Sequence, residues 1–508
     1  MKARIVVAAA ALALLIPLSG CVSLFLPGRE SATSTPTGEE VDAAVAGFYG
    51  QKLAWTSCES DFQCATATAP LDWEDPARAS IDLALIRQSA TGTRLGSLLV
   101  NPGGPGGSGY DFVAQSIDYA VSDRLRQSYD IVGFDPRGVN RSSAVSCYDD
   151  PKQFDAFIYD LPTTTPGTSA SAAEIEKSMA TFGQACEKFT GELLGYVDTV
   201  SAAKDLDMLR AALGDKKLTY LGYSYGTFLG ATYAGLFPEK VGRLVLDGAL
   251  DPSTSDFDVT RTQAVGFESA LRAYLADCLT SRECPFTGTV EAATTRIGAI
   301  LDSLDVSPLR ATDGRQLGSS TMFTAIILPL YSRDNWPALN ELFASVTAGE
   351  ADYAFLLADS YYARDENGAY SDNSTEAFLA INCLDYRSTS TAATLDAEAA
   401  ELTRVAPLFG PRMSYGGTAC AQWPVQPTRD RAVITAAGAP PILVVGTTND
   451  PATPYVWAQA LADQLESGQL VTYDGEGHTA YNKSNDCVNN AVDGYFIDGT
   501  VPTSDPLC

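Results

Sequence analysis

The stretch "KLTYLGYSYGTFLG", residues 217–230, decides the fold prediction. It begins as an apolar run typical of a buried strand, passes through a glycine-rich turn and continues in residues typical of a helix. Ser224 lies in the turn between Gly222 and Gly226, which matches the G-x-S-x-G elbow that exposes a nucleophilic serine. The backbone N–H of Tyr225 would then be one oxyanion donor. With 42 glycines in 508 residues, an ordinary serine in a turn is the alternative.

A serine hydroxyl needs a base to remove its proton, and histidine is the usual one. The chain contains a single histidine, His478, within "DGEGHTAY" at residues 474–481. This glycine-rich segment follows the last strand-like run, so its loop would reach the carboxyl edge of a parallel sheet. The sequence therefore predicts that His478 is the base, and the alternative is a histidine with no chemical role.

The third partner would be an acid that orients the imidazole. Asp450 follows a strongly apolar run in "ILVVGTTNDPATP", residues 442–454. The chain order Ser224, Asp450, His478 is the serine–acid–histidine order of α/β-hydrolases. Asp247 and Asp251, in "LVLDGALDP", are the other candidate acids. An aspartate that only shapes the turn before a proline is the structural alternative for Asp450.

A second oxyanion donor is expected from the loop after an earlier strand. "NPGGPGGSG", residues 101–109, contains five glycines, which allow backbone amides to point outward and a substrate to approach closely. We expect the Gly104 N–H to be this donor, with Gly103 as the alternative. A phosphate-binding loop is the competing interpretation, but no Lys-Ser or Lys-Thr follows the glycines.

Six apolar runs, including the one before Ser224, predict buried parallel strands followed by turns and helix-like stretches. They span residues 96–104, 129–138, 217–226, 242–252, 440–451 and 468–478. Residues 80–88 alternate between apolar and polar, which predicts an antiparallel strand at the start of the sheet, and residues 200–214 have helical periodicity. The fold class predicted is α/β, an α/β-hydrolase fold with a doubly wound, mostly parallel sheet and an inserted, mainly helical cap.

The predicted organisation has five parts. They are a lipoprotein signal peptide (1–20), a tether (21–45), the first part of the hydrolase core (46–252), a cap or lid insertion (253–430) and the C-terminal part of the core (431–508).

The N-terminus predicts export. Two basic residues precede a twelve-residue apolar run (5–16), too short to span a bilayer and typical of a signal peptide. "LSGC", residues 18–21, resembles the bacterial lipoprotein processing box, so Cys21 is predicted to be lipidated and to anchor the protein to the outside of the cell membrane. The alternative is an ordinary secretory signal and a secreted protein.

The cysteine count fits export as well. Eleven cysteines become ten when Cys21 is set aside, an even number for an oxidising compartment. Sequence does not determine the connectivity, but proximity suggests Cys58–Cys64, Cys147–Cys186, Cys278–Cys284, Cys383–Cys420 and Cys487–Cys508. No Cys-x-x-Cys pair is present and histidine is scarce, so no metal site is expected.

The net charge of −28 argues against electrostatic binding of nucleic acid or of an anionic lipid surface. It is compatible with a mild preference for cationic substrates, and it is equally explained as a solubility trait. We expect a monomer that contacts the membrane only through its lipid anchor.

Five motifs in order resemble the proline iminopeptidase and tripeptidyl aminopeptidase family of exported α/β-hydrolases. They are "NPGGPGGSG", "GFDPRGVNRS", "YLGYSYGTFLGATYAGLFPEKVGRLVLDGALDP", "TTNDPATP" and "GEGHTAY". The resemblance runs from about residue 50 to the C-terminus and assigns the triad to Ser224, Asp450 and His478. One departure is Asn140, where relatives often carry glycine.

The resemblance implies a serine exopeptidase that cleaves peptides from a free N-terminus and needs no cofactor. A carboxylate of the cap would then neutralise the substrate amine, because an unpaired charge in a closed cleft is costly. Asp385, within "AINCLDYR", is the candidate, and a purely structural residue beside Cys383 is the alternative. The competing functions are a carboxylesterase or lipase on the same fold, and a ligand-binding protein on an inactive hydrolase scaffold.

Overall fold

The apolar runs of the sequence form the strands of one large sheet. The computed structural model describes residues 32–388 and 391–508. The strands within them are β1 (Ala32–Thr33), β2 (Ala54–Cys58), β3 (Phe62–Pro70), β4 (Ser80–Gln88), β5 (Gly96–Asn101), β6 (Tyr129–Phe134), β7 (Leu218–Tyr223), β8 (Val241–Asp247), β9 (Leu309–Arg310), β10 (Gln316–Leu317), β11 (Ile442–Asn449) and β12 (Gly468–Glu476).

Helices cover both faces of this sheet and form the inserted segments. They are α1 (Ala46–Tyr49), α2 (Gly109–Ala120), α3 (Asp123–Ser128), α4 (Pro151–Tyr159), α5 (Ser169–Thr190), α6 (Thr199–Leu213), α7 (Tyr225–Leu236), α8 (Asp256–Cys278), α9 (Val290–Val306), α10 (Ser319–Leu330), α11 (Trp336–Thr347), α12 (Asp352–Tyr361), α13 (Ser374–Asp385), α14 (Ala392–Val405), α15 (Gly410–Met413), α16 (Tyr455–Gln464) and α17 (Asp486–Asp498).

The strand order of the main sheet is β1-β2-β3-β4-β6-β5-β7-β8-β11-β12. From β6 to β12 all neighbours are parallel, whereas β1 to β4 and the β4–β6 pair are antiparallel. The central strands β5 and β6 are buried at every position, as expected when helices cover both faces. The α/β-hydrolase prediction is confirmed, including the antiparallel strand at residues 80–88. The short antiparallel strands β1 to β3 extend the sheet beyond the prediction.

The cap prediction corresponds to helices α8 to α15, which lie between β8 and β11 in the chain. Most of their apolar side chains, such as Leu275, Leu301 and Phe343, form a cluster separate from the sheet core, whereas those of α13, such as Ile381 and Leu384, pack into the sheet core itself. Tyr159, at the end of α4, also packs into this cluster, and its hydroxyl donates to Asp359 at 2.7 Å. The end of α4 therefore contacts the cap, although its sequence position falls within the predicted core.

The prediction of a tether over residues 21–45 is wrong for its described part. Residues 32–33 pair with β2, and the Ser34 and Thr37 amides donate to Leu53 and to Ala211, both at 2.9 Å. Because these bonds fasten the segment to the core, any free tether ends before residue 32. The signal peptide and Cys21 lie outside the described residues. Within those residues, no helix is long and apolar enough to cross a membrane.

The structure contains the five disulfide bonds suggested by proximity in the sequence. They are Cys58–Cys64, Cys147–Cys186, Cys278–Cys284, Cys383–Cys420 and Cys487–Cys508. None of them joins the core to the cap helices: Cys383–Cys420 lies within the cap region, and Cys147–Cys186 joins the segment after β6 to α5. Besides the chain itself, packing, hydrogen bonds and ion pairs such as Arg364–Asp155 at 2.8 Å attach the cap to the core.

Candidate active site

Ser224 lies in a sharp turn between β7 and α7. Its backbone has φ 55° and ψ −125°, a conformation that is unfavourable for a residue with a side chain and is typical of functional turns. A Cβ on Gly222 would lie 2.3 Å from the Gly226 oxygen, so the turn requires glycine there. The Ser224 side chain does not cap α7. The elbow predicted from the sequence is therefore present, with the serine hydroxyl free of the helix amides.

Asp450 and His478 are paired. The imidazole Nδ1 lies 2.9 Å from both carboxylate oxygens of Asp450, whose side chain is fully buried. Asp450 also accepts hydrogen bonds from the backbone amides of Ala452, Thr453 and Thr479. These donors hold the carboxylate in one orientation, so it can fix the orientation of the ring.

The other two candidate acids make their hydrogen bonds to groups other than the imidazole. The Asp247 carboxylate accepts the backbone amides of Ala480 and Tyr481. The Asp251 carboxylate accepts from Ser253 and Gln464. Of the three acids considered from the sequence, Asp450 is the one in contact with His478.

The structure brings His478 to the same sheet edge as Ser224. The Ser224 N–H donates to the Asp247 carbonyl at 2.9 Å, and the next residue, Gly248, lies against the imidazole. The side-chain hydrogen bonds of His478 within the described residues all involve Nδ1, which leaves Nε2 available to a hydroxyl. No hydrogen bond joins the Ser224 hydroxyl to the imidazole among the described residues. Because such catalytic bonds are often long without substrate, we expect this one to form on substrate binding.

The cap covers this edge. The His478 amide donates to the Tyr331 carbonyl at 2.8 Å, and the Tyr331 ring meets the imidazole edge-to-face with centroids 5.4 Å apart. Tyr331 follows α10, a cap helix. At the glycine-rich loop after β5, a Cβ on Gly106 would lie 2.5 Å from the Ser374 oxygen, at the start of α13. Cap residues thus contact both the histidine loop and the glycine-rich loop.

The loop after β5 approaches the nucleophile closely. A Cβ on Gly103 would lie 2.8 Å from the Ser224 Cβ and 3.0 Å from the Tyr225 nitrogen. The Gly103 N–H donates to the side-chain oxygen of Asn101 at 3.0 Å, so it is already used. Tyr225 begins α7, where the first amides have no partner within the helix. The amides of Gly104 and Tyr225 are therefore the better candidates for oxyanion donors.

Asp385 lies at the end of α13 and lines a cavity of about 460 Å³. Its two oxygens accept from the Thr199 N–H at 3.0 Å and the Thr199 hydroxyl at 2.5 Å. That hydroxyl also contacts the Tyr225 hydroxyl. Burial raises the pKa of Asp385 to about 7, and the Thr199 bonds only partly offset it. The carboxylate thus has a structural role at the start of α6, and it remains close to the residue after the nucleophile.

Two contributors to the site were missed in the sequence. The Thr453 hydroxyl lies 2.9 Å from Asp450 Oδ2 and 3.2 Å from His478 Nδ1, and the Asn101 side chain holds the oxyanion loop. Thr453 stands three residues after Asp450, a spacing at which a threonine commonly bonds to a turn aspartate, and this was an available signal. In residues 32–388 and 391–508, no group of three or more His, Cys, Asp or Glu side chains could hold a metal ion.

Comparison with known proteins identifies the family of this chain. A family model described as "TAP-like protein" matches residues 406–508. Serine protease Hip1 of Mycobacterium tuberculosis is 38% identical over 488 residues, covering 90% of this chain and 91% of the relative. Carboxylesterase B of the same organism is 37% identical over 97% of this chain and 96% of its own length. Tripeptidyl aminopeptidase of Streptomyces lividans is 32% identical over 93% and 89%. The chain therefore belongs to the tripeptidyl aminopeptidase family of α/β-hydrolases, which includes these relatives.

Proposed function

We propose that this protein is a serine exopeptidase that releases amino acids or short peptides from the free N-terminus of peptides. The observation that carries the proposal is the pairing of the only histidine with Asp450 at the edge where Ser224 forms a strained elbow. The tripeptidyl aminopeptidase and serine protease names of the relatives support peptides as the substrate.

In the proposed reaction, Ser224 Oγ attacks the carbonyl carbon of the scissile bond while His478 Nε2 takes the hydroxyl proton. The imidazolium, stabilised by Asp450, then gives this proton to the leaving amine, and an acyl-enzyme remains on Ser224. Water, deprotonated by His478, releases the acyl group and restores the serine. The Gly104 and Tyr225 amides would stabilise the oxyanion in both steps, and such a donor contributes roughly 2–4 kcal/mol.

The test compares three chromogenic substrates: an unblocked peptide p-nitroanilide, its N-acetylated form and a p-nitrophenyl ester. We expect turnover of the unblocked peptide, much weaker turnover of the acetylated one, and loss of activity by roughly 10⁴-fold or more in Ser224→Ala. Ser345→Ala, on the cap helix α11, is the matched control and should remain active. Hydrolysis of the ester without the unblocked peptide would instead support a carboxylesterase, the function named for one relative.

Asp385 is the residue we propose for the substrate amine, and the same assay tests it. An ionised carboxylate is needed to pair with an ammonium group. Since the pKa of Asp385 is raised to about 7, KM for the unblocked peptide should fall as the pH rises through 7. Asp385→Asn should raise that KM and abolish its pH dependence without altering ester hydrolysis. Glu376→Gln, which changes another partly buried carboxylate of α13 with a pKa of about 7, is the control. A purely structural Asp385 would lower the melting temperature and leave the KM ratio unchanged.

We further propose that the protein is exported and held at the cell membrane by a lipid on Cys21. Five disulfide bonds support an oxidising compartment. Replacement of Cys21 by alanine should release the protein from the membrane fraction. Unchanged membrane retention of that variant would count against a lipid anchor.

A further inference from the structure

Asp247 connects the nucleophile turn with the histidine loop. It ends β8, and its side chain is fully buried. Its backbone carbonyl accepts the Ser224 N–H at 2.9 Å. Its carboxylate accepts the Ala480 N–H at 3.0 Å and the Tyr481 N–H at 2.8 Å. One residue therefore bonds to the backbones of both catalytic loops.

The histidine loop depends on these bonds for its conformation. Thr479 directly follows His478 and has φ 64°, which is unfavourable for a β-branched residue. The Thr479 N–H donates to Asp450 at 3.1 Å, and the next two amides donate to Asp247. Two buried carboxylates thus hold three successive amides after the imidazole, and a loop strained in this way would relax if one carboxylate lost its acceptor.

Gly248 completes the connection. Its N–H donates to the Val445 carbonyl of β11, the strand that leads to Asp450, at 3.0 Å. Its φ is 69°, and a Cβ there would lie 2.7 Å from Thr479 Cγ2, 3.0 Å from the Thr453 hydroxyl and 3.2 Å from His478 Cε1. The backbone of Gly248 therefore packs against the histidine loop, and a side chain at this position would push Thr479, the residue after His478, out of place.

We propose that the Asp247–Gly248 junction is a positioning element that sets the placement of His478 relative to Ser224. The inference rests on the proposed triad and adds to it. Asp247 contacts neither the imidazole nor, on this proposal, the substrate; it acts through the backbones of the two loops. The junction holds the Ser224 turn through a carbonyl, the strand before Asp450 through an amide, and the loop after His478 through a carboxylate.

The first test is Asp247→Asn, which keeps the size of the side chain and replaces one acceptor oxygen by a donor that faces a backbone amide. We expect kcat to fall about tenfold to a hundredfold with KM little changed, for the peptide and the ester alike. Asp493→Asn is the matched control. Asp493 is an equally buried carboxylate that contacts the same loop through the Tyr481 hydroxyl and not through its amides. Its variant should keep kcat within about twofold of the wild type.

The second variant, Gly248→Ala, tests the junction without removing a charge. It still tests the positioning proposal if the Asp247→Asn protein does not fold. We expect a comparable fall in kcat. Gly349→Ala is its control, because Gly349 has a similar φ of 87° and open space where the Cβ would go. The control should share the backbone strain and retain full activity.

The single histidine allows a direct readout, since its imidazole resonances in an NMR spectrum need no assignment. These resonances should shift in Asp247→Asn and Gly248→Ala and stay in place in both controls. Wild-type kcat in a folded Asp247→Asn protein, or an equal loss in Asp493→Asn, would overturn the proposal. Failure of the proposed peptidase function would appear differently, as an active Ser224→Ala protein or as a wild type that hydrolyses only the ester.

Discussion

At the scale of single residues, Thr453 shows how the acid is held. Its hydroxyl bonds to Asp450 Oδ2 at 2.9 Å, on the carboxylate that also contacts His478. A hydrogen bond to a buried charged group contributes more than one between neutral groups. Thr453 therefore restrains the carboxylate in the plane that suits the imidazole.

We predict that Thr453→Val lowers kcat roughly tenfold at nearly constant KM, because the lost bond contributes about 1–2 kcal/mol to the placement of the acid. Steady-state kinetics on an unblocked peptide anilide measure this. Thr447→Val on β11, the strand that leads to Asp450, is the matched control, since the Thr447 hydroxyl is buried and has no hydrogen-bond partner among the described residues. Equal loss in both variants would contradict the specific role.

At the scale of elements, the segment at residues 32–40 behaves as part of the core. Glu39 pairs with the fully buried Arg210 of α6 at 2.6 Å and with Lys240 at 3.0 Å. Arg210 also pairs with Asp207 at 2.8 Å, so Glu39 completes a buried network. The segment thus contributes to the stability of the sheet edge, beside the strand pairing of residues 32–33 with β2.

We predict that Glu39→Gln lowers the free energy of unfolding by about 1–3 kcal/mol, since it weakens a charged bond to a buried guanidinium that keeps one other carboxylate partner, Asp207, and a bond to the Asp215 carbonyl. Urea unfolding of the soluble protein measures it. Glu40→Gln at the adjacent, exposed position should change stability by less than about 0.5 kcal/mol. A negligible effect at Glu39 would mean that the segment docks without stabilising the core.

At the scale of the whole molecule, the cap and the core are joined through polar contacts at α13. The Glu376 carboxylate of this helix accepts the Cys147 amide at 2.7 Å. The Asn373 side chain, just before the helix, donates to the carbonyls of Gly138 and Val145 and accepts the Asn140 amide. Asn140 itself has φ 42°, a conformation that asparagine tolerates better than most residues with a side chain.

Glu376 makes stability depend on pH. Burial raises its pKa to about 7, well above its ordinary value near 4.5. The folded protein therefore keeps a proton that the unfolded chain releases, so the group's stabilising contribution is full below about pH 4.5 and is lost as the pH rises through 7. Glu376→Gln mimics the protonated form at every pH. Relative to the wild type, its melting temperature should rise between pH 5 and pH 8, by an amount equivalent to at least about 1 kcal/mol. A difference independent of pH would be inconsistent with the raised pKa.

The sequence by itself determined the features that depend on local pattern. The apolar runs placed the parallel strands, the glycine spacing placed the elbow at Ser224, and the single histidine left one choice of base. Short separations along the chain also suggested all five disulfide pairs. These features are readable because a strand, a tight turn and a nearby cysteine pair are governed by neighbouring residues.

Only the tertiary structure showed which of several candidate side chains and amides already have a hydrogen-bond partner elsewhere in the fold. Asp247, Asp251 and Asp450 all lie near strand ends. The Asp247 carboxylate accepts backbone amides that are distant in the chain, and the Asp251 carboxylate accepts from Ser253 and the distant Gln464. Asp450 is the one that bonds to the imidazole. Gly103 and Gly104 are equivalent candidates in the sequence, and only the structure shows that the Gly103 N–H already donates to the Asn101 side chain. The docking of residues 32–40 depends on a buried arginine about 170 residues away. Such choices follow from the directions of side chains across the fold, which local pattern does not contain.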